Sequence, residues 1–359
     1  MTDEFFWARA ASRPSGRRWS PNPRRTRYGP KIVELPEGLE VVRFDGEDAA
    51  RQGLTYCAIM TRREVLAGSL AGAALSARAQ SGPRFVKGIC SVVFPRAMPR
   101  AECFVQAKSA GFDAMEVAIG PDIPLDASHN DTRRFADAAE KAGIRIATLW
   151  PSEPLLQSPL NSPDPAVRAR GVEVLRKSLT IAGDLNCDAL LLYAVRLGNG
   201  PRLDVGSQDT WDRYTAELRK VVSDADRAKI YLNPENVSNK FLLSPLEMRS
   251  FVDQFASPWV GTQFDTGNCM PYGYPEDWIL TLGQRIKRIH VKDVKLATRT
   301  EPARQVDLME GYVNWKAVMA ALVKVGYNGF ISPEIGHNPN QSDQLKRIST
   351  ALDKILSLA

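Results

Sequence analysis

From residue 85 to the C-terminus the chain alternates a short apolar run with an amphipathic stretch of helical period, eight times over. The apolar runs fall at 85–94, 114–119, 145–150, 189–194, 230–236, 260–265, 286–291 and 329–335. They are near-continuous in apolar character, as strands buried on both faces of a parallel sheet are. The helical stretches between them carry start and stop signals. Ser244-Pro245 opens one as cap and first-turn residue, and Gly111, Gly143 and Gly326 end others. Eight βα units in about 275 residues predict a (β/α)8 TIM barrel. An open doubly wound sheet is the competing fold. It places a G-x-G-x-x-G loop after its first strand, where this chain has Pro95-Arg96-Ala97-Met98-Pro99.

The first eighty residues lack this pattern. Residues 1–59 are rich in Arg, Pro, Ser and Gly without a sustained period and read as a disordered leader. Met60-Thr61-Arg62-Arg63 is then a twin-arginine start, residues 66–75 form a small-residue apolar run, and Ala77-Arg78-Ala79 is an A-x-A cleavage pattern. That order predicts a Tat-type export signal over 60–79, with an apolar run too short to span a bilayer. It places the start of translation at Met60 and leaves residues 80–359 as one barrel domain. The location expected is periplasmic or secreted, or cytoplasmic if the signal goes unused. No other stretch is apolar enough to cross a bilayer, so no membrane anchoring is expected. The charge also divides here. The whole chain carries a formal +6, yet from residue 80 onward there are 34 basic and 32 acidic side chains, so nothing in the body calls for nucleic acid. Five cysteines without paired spacing predict no disulfide framework.

In a (β/α)8 barrel the C-terminal strand ends meet on one face, and that face carries the chemistry. Four successive runs bring a metal-ligating residue there: Glu235 in the fifth strand, Asp265 in the sixth, His290 in the seventh and Glu334 in the eighth. Taken singly, a strand-end Asp is usually a turn cap and a Glu is usually solvated. Four at equivalent positions make a coordination sphere. Oxygen ligands with one imidazole suit a single Mn, Mg, Co or Zn ion. His290 lies between Ile289 and Val291, and a buried imidazole needs a partner. The other two histidines, His129 before a helix and His337 in a loop, read as peripheral. Cys269 near the rim is a packed thiol in the plainer reading and a nucleophile in the sharper one. Candidates for substrate contact are Glu116, Trp150, Tyr193 and Arg196 on the first half of the barrel, and Asn268, Lys292 and Asp293 on the second.

These runs resemble a known family. Asn233-Pro234-Glu235-Asn236, Phe264-Asp265-Thr266-Gly267-Asn268, Ile289-His290-Val291-Lys292-Asp293 and Pro333-Glu334 are similar to segments of the xylose-isomerase-like sugar phosphate isomerase/epimerase superfamily. Gly311-Tyr312-Val313-Asn314-Trp315 looks like that family's segment before helix seven, and the resemblance spans residues 85–359. It implies a barrel with one divalent metal held by Glu235, Asp265, His290 and Glu334. In related ketose 3-epimerases the two glutamates are also the acid/base pair, a role that falls here to Glu235 and Glu334. Those enzymes often carry a His shortly after the Asp of strand six, where this chain reads Thr266-Gly267-Asn268.

The expected chemistry is proton abstraction beside a metal-polarised ketose carbonyl, through an enediolate, with the second glutamate returning a proton. That makes the chain a sugar isomerase or epimerase acting on a small carbohydrate. With a leaving group one carbon on, the same abstraction would make it a keto-sugar or keto-glycoside lyase or dehydratase. A sugar-binding barrel without turnover is a third reading. The superfamily's endonuclease branch needs a His-rich site of several metals, and three histidines argue against it. Such barrels often form homo-oligomers, but nothing in the sequence marks an interface.

Overall fold

The computed structural model describes residues 85–359 apart from 194, 196, 200 and 201, together with Leu39–Glu40 and Met60–Thr61, which pair antiparallel. The remainder of the expected leader and export signal lies outside the described residues. By contacts the chain falls into two units, Met1–Gln80 and Ser81–Ala359. The second unit carries the eightfold repeat.

Eight parallel strands form its centre: β1 (Val86–Cys90), β2 (Ala114–Ala118), β3 (Arg145–Trp150), β4 (Ala189–Leu192), β5 (Tyr231–Pro234), β6 (Thr262–Asp265), β7 (Ile286–Val291) and β8 (Phe330–Pro333). They hydrogen-bond in the order β6-β7-β8-β1-β2-β3-β4-β5. Isolated bridges from Leu232 to Val260 and from Glu235 to Gln263 join β5 to β6 and nearly close the ring. The helices are α1 (Arg100–Ser109), α2 (His129–Lys141), α3 (Pro165–Asp184), α4 (Ser207–Ala228), α5 (Pro245–Asp253), α6 (Pro275–Leu282), α7 (Trp315–Lys324) and α8 (Gln344–Leu356). A helix follows each strand, as the alternation predicts, with a short extra one at Ser152–Gln157 after β3. No helix among the described residues is long and apolar enough to cross a membrane.

Local chemistry fixes the helix ends. Ser128 caps α2 and Ser244 caps α5, each in a reciprocal box with the acidic residue three positions on, Asp131 and Glu247. Asp164 caps α3 ahead of Pro165. At the C-termini, Gly111, Gly143 and Gly326 adopt positive φ, and the next amide reaches back into the helix: Phe112 to Ala107, Ile144 to Ala139 and Tyr327 to Leu322. These closures turn three helices back toward the start of the next strand. The sequence pattern does not announce the helical turn at Ser152–Gln157 or the ribbon pairing Asp293–Lys295 with Arg304–Val306.

The barrel interior is not wholly apolar. Two one-residue bulges mark it, one passing over Ala147 on β3 and one over Lys287 on β7. A bulge frees a carbonyl. Arg288, 5% exposed and reaching across from β7, donates to both the Ala147 and the Lys287 carbonyl, at 2.9 and 2.8 Å. The first residues past the two bulges are Glu116 and Gln263 on the partner strands.

Candidate metal centre

Glu235, Asp265, His290 and Glu334 converge where β5 to β8 end. One ligand atom from each lies within 4.8 Å of the others. Backbone pairing sets these positions. Asp265 pairs with His290 across β6 and β7, and Glu235 bridges Gln263. Glu334 follows Pro333, and its amide donates to the Val291 carbonyl at 3.3 Å.

Asp265 is held by its own turn. One oxygen of Asp265 accepts from the amides of Gly267 and Asn268, at 2.8 and 2.7 Å. Asn236 clamps the Asp265 backbone in both directions, at 2.8 and 2.9 Å, and so ties the β5 rim to β6. The other oxygen, Oδ2, is fully buried and has no hydrogen bond. Lys292 Nζ is 3.1 Å from it, close enough for charge attraction but outside hydrogen-bond geometry. The same ammonium lies 2.5 Å from Glu334 Oε2.

His290 is 2% exposed and its two nitrogens face different ways. Nδ1 looks toward the carboxylates, 2.9 Å from Glu235, 3.3 Å from Glu334 and 3.9 Å from Asp265. Nε2 looks into the barrel, toward Glu116 at 3.0 Å, Gln263 at 2.6 Å and Cys90 at 3.4 Å. The charges perturb one another. Burial first, then the neighbouring Glu334, push Glu235 up to about 7, against the pull of His290. Burial would also raise Glu334, but His290 and Lys292 outweigh it and hold that carboxyl well below the usual range. His290 is raised well above its ordinary value: burial opposes protonation, and Cys90, Glu116 and Glu334 overcome it.

A divalent cation fits this set. Three carboxylates and one imidazole from four strands meet in a buried cluster, with the Lys292 ammonium beside them. Asp265 Oδ2 is a buried anionic oxygen that accepts no hydrogen bond, with the Lys292 ammonium as its counter-charge at 3.1 Å. Hard oxygen donors with one nitrogen match Mg, Mn, Co or Zn.

The other candidates divide. Lys292 stands beside the cluster, and Asn268 Oδ1 is 3.5 Å from its ammonium. Trp150 and Tyr193 are partly buried at the ends of β3 and β4 and donate no hydrogen bond to the four residues. Arg196 lies outside the described residues. Two candidates for substrate contact are corrected. Glu116 lies inside the second strand, as its place in the apolar run indicates, but its carboxylate faces His290 from within the barrel and not the rim. Asp293 is not available to substrate. Its carboxylate is fully buried and accepts from the amides of Val294, Met309 and Val313 and from the Trp315 indole. Asn233 is likewise buried within β5, with neither side-chain atom paired.

Cys269 is buried, with its thiol on the Thr266 carbonyl and its pKa pushed up by burial, which is the packed reading. His129 is exposed and paired with Asp184, and His337 is an exposed loop residue. Residues that motif reading passed over are Gln263, Cys90 and Asn236. Gln263 is two residues before Asp265, and strand alternation could have put both on one face.

Residues 104–355 match the family described as xylose isomerase-like TIM barrel. The chain belongs to that family. L-ribulose-5-phosphate 3-epimerase UlaE of Salmonella paratyphi C (strain RKS4594) is 26% identical over 246 residues, 66% of this chain and 84% of that protein. Among solved structures, D-psicose 3-epimerase in the presence of D-fructose superposes with a TM-score of 0.64 at 18% identity, covering 76% of this chain and 99% of that one. An L-ribulose 3-epimerase gives 0.61 at 22%, covering 77% and 95%. The 3-keto-D-glucoside 4-epimerase YcjR from E. coli gives 0.61 at 13%, covering 76% and 100%.

Proposed function

We propose that this chain is a divalent-metal-dependent sugar epimerase or isomerase that moves a proton beside the carbonyl of a small ketose. The observation that carries the reading is the pair Glu235 and Glu334, brought from β5 and β8 to one buried cluster with Asp265 and His290. The names of the relatives given above, epimerases of sugars and sugar derivatives, point the same way.

Glu235, Asp265, His290 and Glu334 would hold the cation. Bound there, it supplies charge that polarises a carbonyl and acidifies the neighbouring C–H. The two glutamates do the proton work. One removes the proton to leave an enediolate, and the other returns a proton to the opposite face or to the next carbon. Lys292 keeps Glu334 ionised and offers an ammonium to a substrate oxygen. Asn268, Trp150 and Tyr193 are the further proposed substrate contacts at the rim.

The full chain, incubated with free and phosphorylated ketoses in D2O and Mg, should place deuterium on the carbon beside the carbonyl with the skeleton intact. EDTA should stop the exchange. Glu235→Gln should lower turnover by roughly 10²- to 10⁴-fold, the usual scale for losing a general acid/base; full activity in that variant would defeat the assignment. Loss of water or an aglycone alongside exchange would instead signal the lyase, which the comparisons do not support. Metal uptake without exchange on any ketose would signal the binding protein. The twin-arginine and A-x-A pattern supports export, and N-terminal sequencing should then find Gln80 first; a mature start within residues 1–10 would overturn it.

A further inference from the structure

Glu116 has no place in the proton relay, yet it is a carboxylate 5% exposed in the middle of β2. One of its oxygens, Oε1, has no hydrogen-bond partner. A buried carboxylate with a bare oxygen is costly unless something else requires it. Its other oxygen, Oε2, lies 3.0 Å from His290 Nε2 and 2.9 Å from Gln263 Nε2. These contacts cross the barrel from β2 to β6 and β7, which are not its neighbours in the sheet.

The His290 ring can carry one proton on either nitrogen, and each arrangement has its own partner. With the proton on Nδ1, the ring donates to Glu235 at 2.9 Å, and Nε2 accepts from the Gln263 amide at 2.6 Å. With the proton on Nε2, the ring needs an acceptor on the inner side. Gln263 cannot be that acceptor, because turning its oxygen inward would set it against the Glu116 carboxylate; its amide stays on Glu116, and its 2.6 Å separation from Nε2, which suits the first arrangement, has to open in the second. Cys90 is a buried thiol whose pKa burial pushes up, and sulfur is a weak acceptor. Glu116 Oε2 is the strong acceptor within reach. Only this second arrangement leaves the Nδ1 lone pair free, on the side where Glu235, Asp265 and Glu334 stand.

We propose that Glu116 is the positioning residue of the metal centre: it accepts the Nε2 proton of His290 across the barrel and so presents bare Nδ1 to the three carboxylates. The proposal rests on the metal-site reading above. Partners of this kind, behind a ligating imidazole, typically affect metal affinity by roughly 10- to 100-fold.

The test measures binding of the metal alone. Mn titrated into the full chain by calorimetry should bind Glu116→Gln, which keeps size and packing, roughly 10- to 100-fold more weakly than the native chain. Thr148→Val, a change in the same buried layer that touches neither His290 nor a carboxylate of the cluster, should bind as the native chain does. A Glu116→Gln affinity equal to native overturns the inference and leaves the metal site standing. Absence of Mn binding by the native chain removes the metal site, and the inference with it. A second measurement needs no variant. In the Zn-loaded native chain, imidazole ¹⁵N–¹H correlation should show a retained, strongly hydrogen-bonded Nε2 proton on His290 and no Nδ1 proton. The exposed rings of His129 and His337 exchange with water and do not obscure it. A proton on Nδ1 in that spectrum would overturn the proposal whatever the variant does.

Discussion

Two buried aspartates stand at neighbouring strand ends, and the structure uses them in opposite ways. Asp293, just past β7, accepts from three backbone amides and one indole. It gathers the ribbon and the segment up to Trp315 around itself, and a Cβ at Gly311 would clash with it at 2.0 Å. Asp265, at the end of β6, uses one oxygen for its own turn and leaves the other without a hydrogen bond. Both are fully buried. Burial and charge therefore do not mark a site. What distinguishes the two is how many lone pairs the protein itself satisfies. A carboxylate whose oxygens are both taken organises a loop. One that keeps an oxygen free of hydrogen bonds among other carboxylates, with only an ion pair beside it, has a lone pair to offer a ligand.

Removing each charge should separate the two roles. Asp265→Asn takes away a ligand, so metal affinity should fall by more than about 100-fold, the upper end for a partner outside the ligand set. The fold should persist, because the Asn oxygen still accepts from Gly267 and Asn268. Calorimetric titration checks this; affinity within a few-fold of native would erase the distinction. Asp293→Asn should do the reverse. It turns charge-assisted hydrogen bonds into neutral ones and sets an NH2 against donors, a loss of about 2 kcal/mol of stability. Thermal unfolding should show a midpoint lower by a few degrees. Metal affinity per folded molecule should be unchanged. A large loss of metal binding with an unaltered midpoint would mean that Asp293 had been misplaced.

The same contrast explains how much could be read beforehand. The barrel was legible because strand and helix periods repeat eight times, with glycine stops at three of the helices, and each repeat is a local signal. Glu235, Asp265, His290 and Glu334 were legible because each ends an apolar run, and a barrel brings such ends to one rim. Asp293 misled because it too follows a strand closely. Its four donors come from as far along the chain as Trp315, and no local pattern records them. Glu116 misled for the converse reason. It lies mid-strand, and its partners sit on β6 and β7 across the ring. Bulges at Ala147 and Lys287 shift the register just before Glu116 and Gln263, which alternation alone does not reveal.

The smallest effect is one of pH, and it comes from which groups must lose protons. Glu235, pushed up to about 7 by burial and by Glu334, carries a proton at pH 6 in the metal-free chain. His290, raised well above its ordinary value by Cys90, Glu116 and Glu334 against the effect of burial, holds its second proton to higher pH than a free imidazole. Both must give up those protons to ligate, so binding releases protons and affinity rises with pH. The sign is the same for both groups, because each has a raised pKa and each ligates in its deprotonated form. Below pH 7 up to about two protons leave, and affinity should climb by as much as about 100-fold per pH unit. Above 7 Glu235 is already ionised, and the slope should fall to about tenfold per unit. Mn titrations from pH 5.5 to 8.5, in buffers of differing ionisation heat, would show both the slope and its break. Asp293→Asn should leave the curve where it is, since that carboxylate faces the loop. A flat curve across the whole range would mean that the cluster loses no protons on binding and that neither Glu235 nor His290 ligates from a protonated state. A single slope without a break near 7 would keep the site but remove the asymmetry between Glu235 and Glu334 on which their division into acid and base depends.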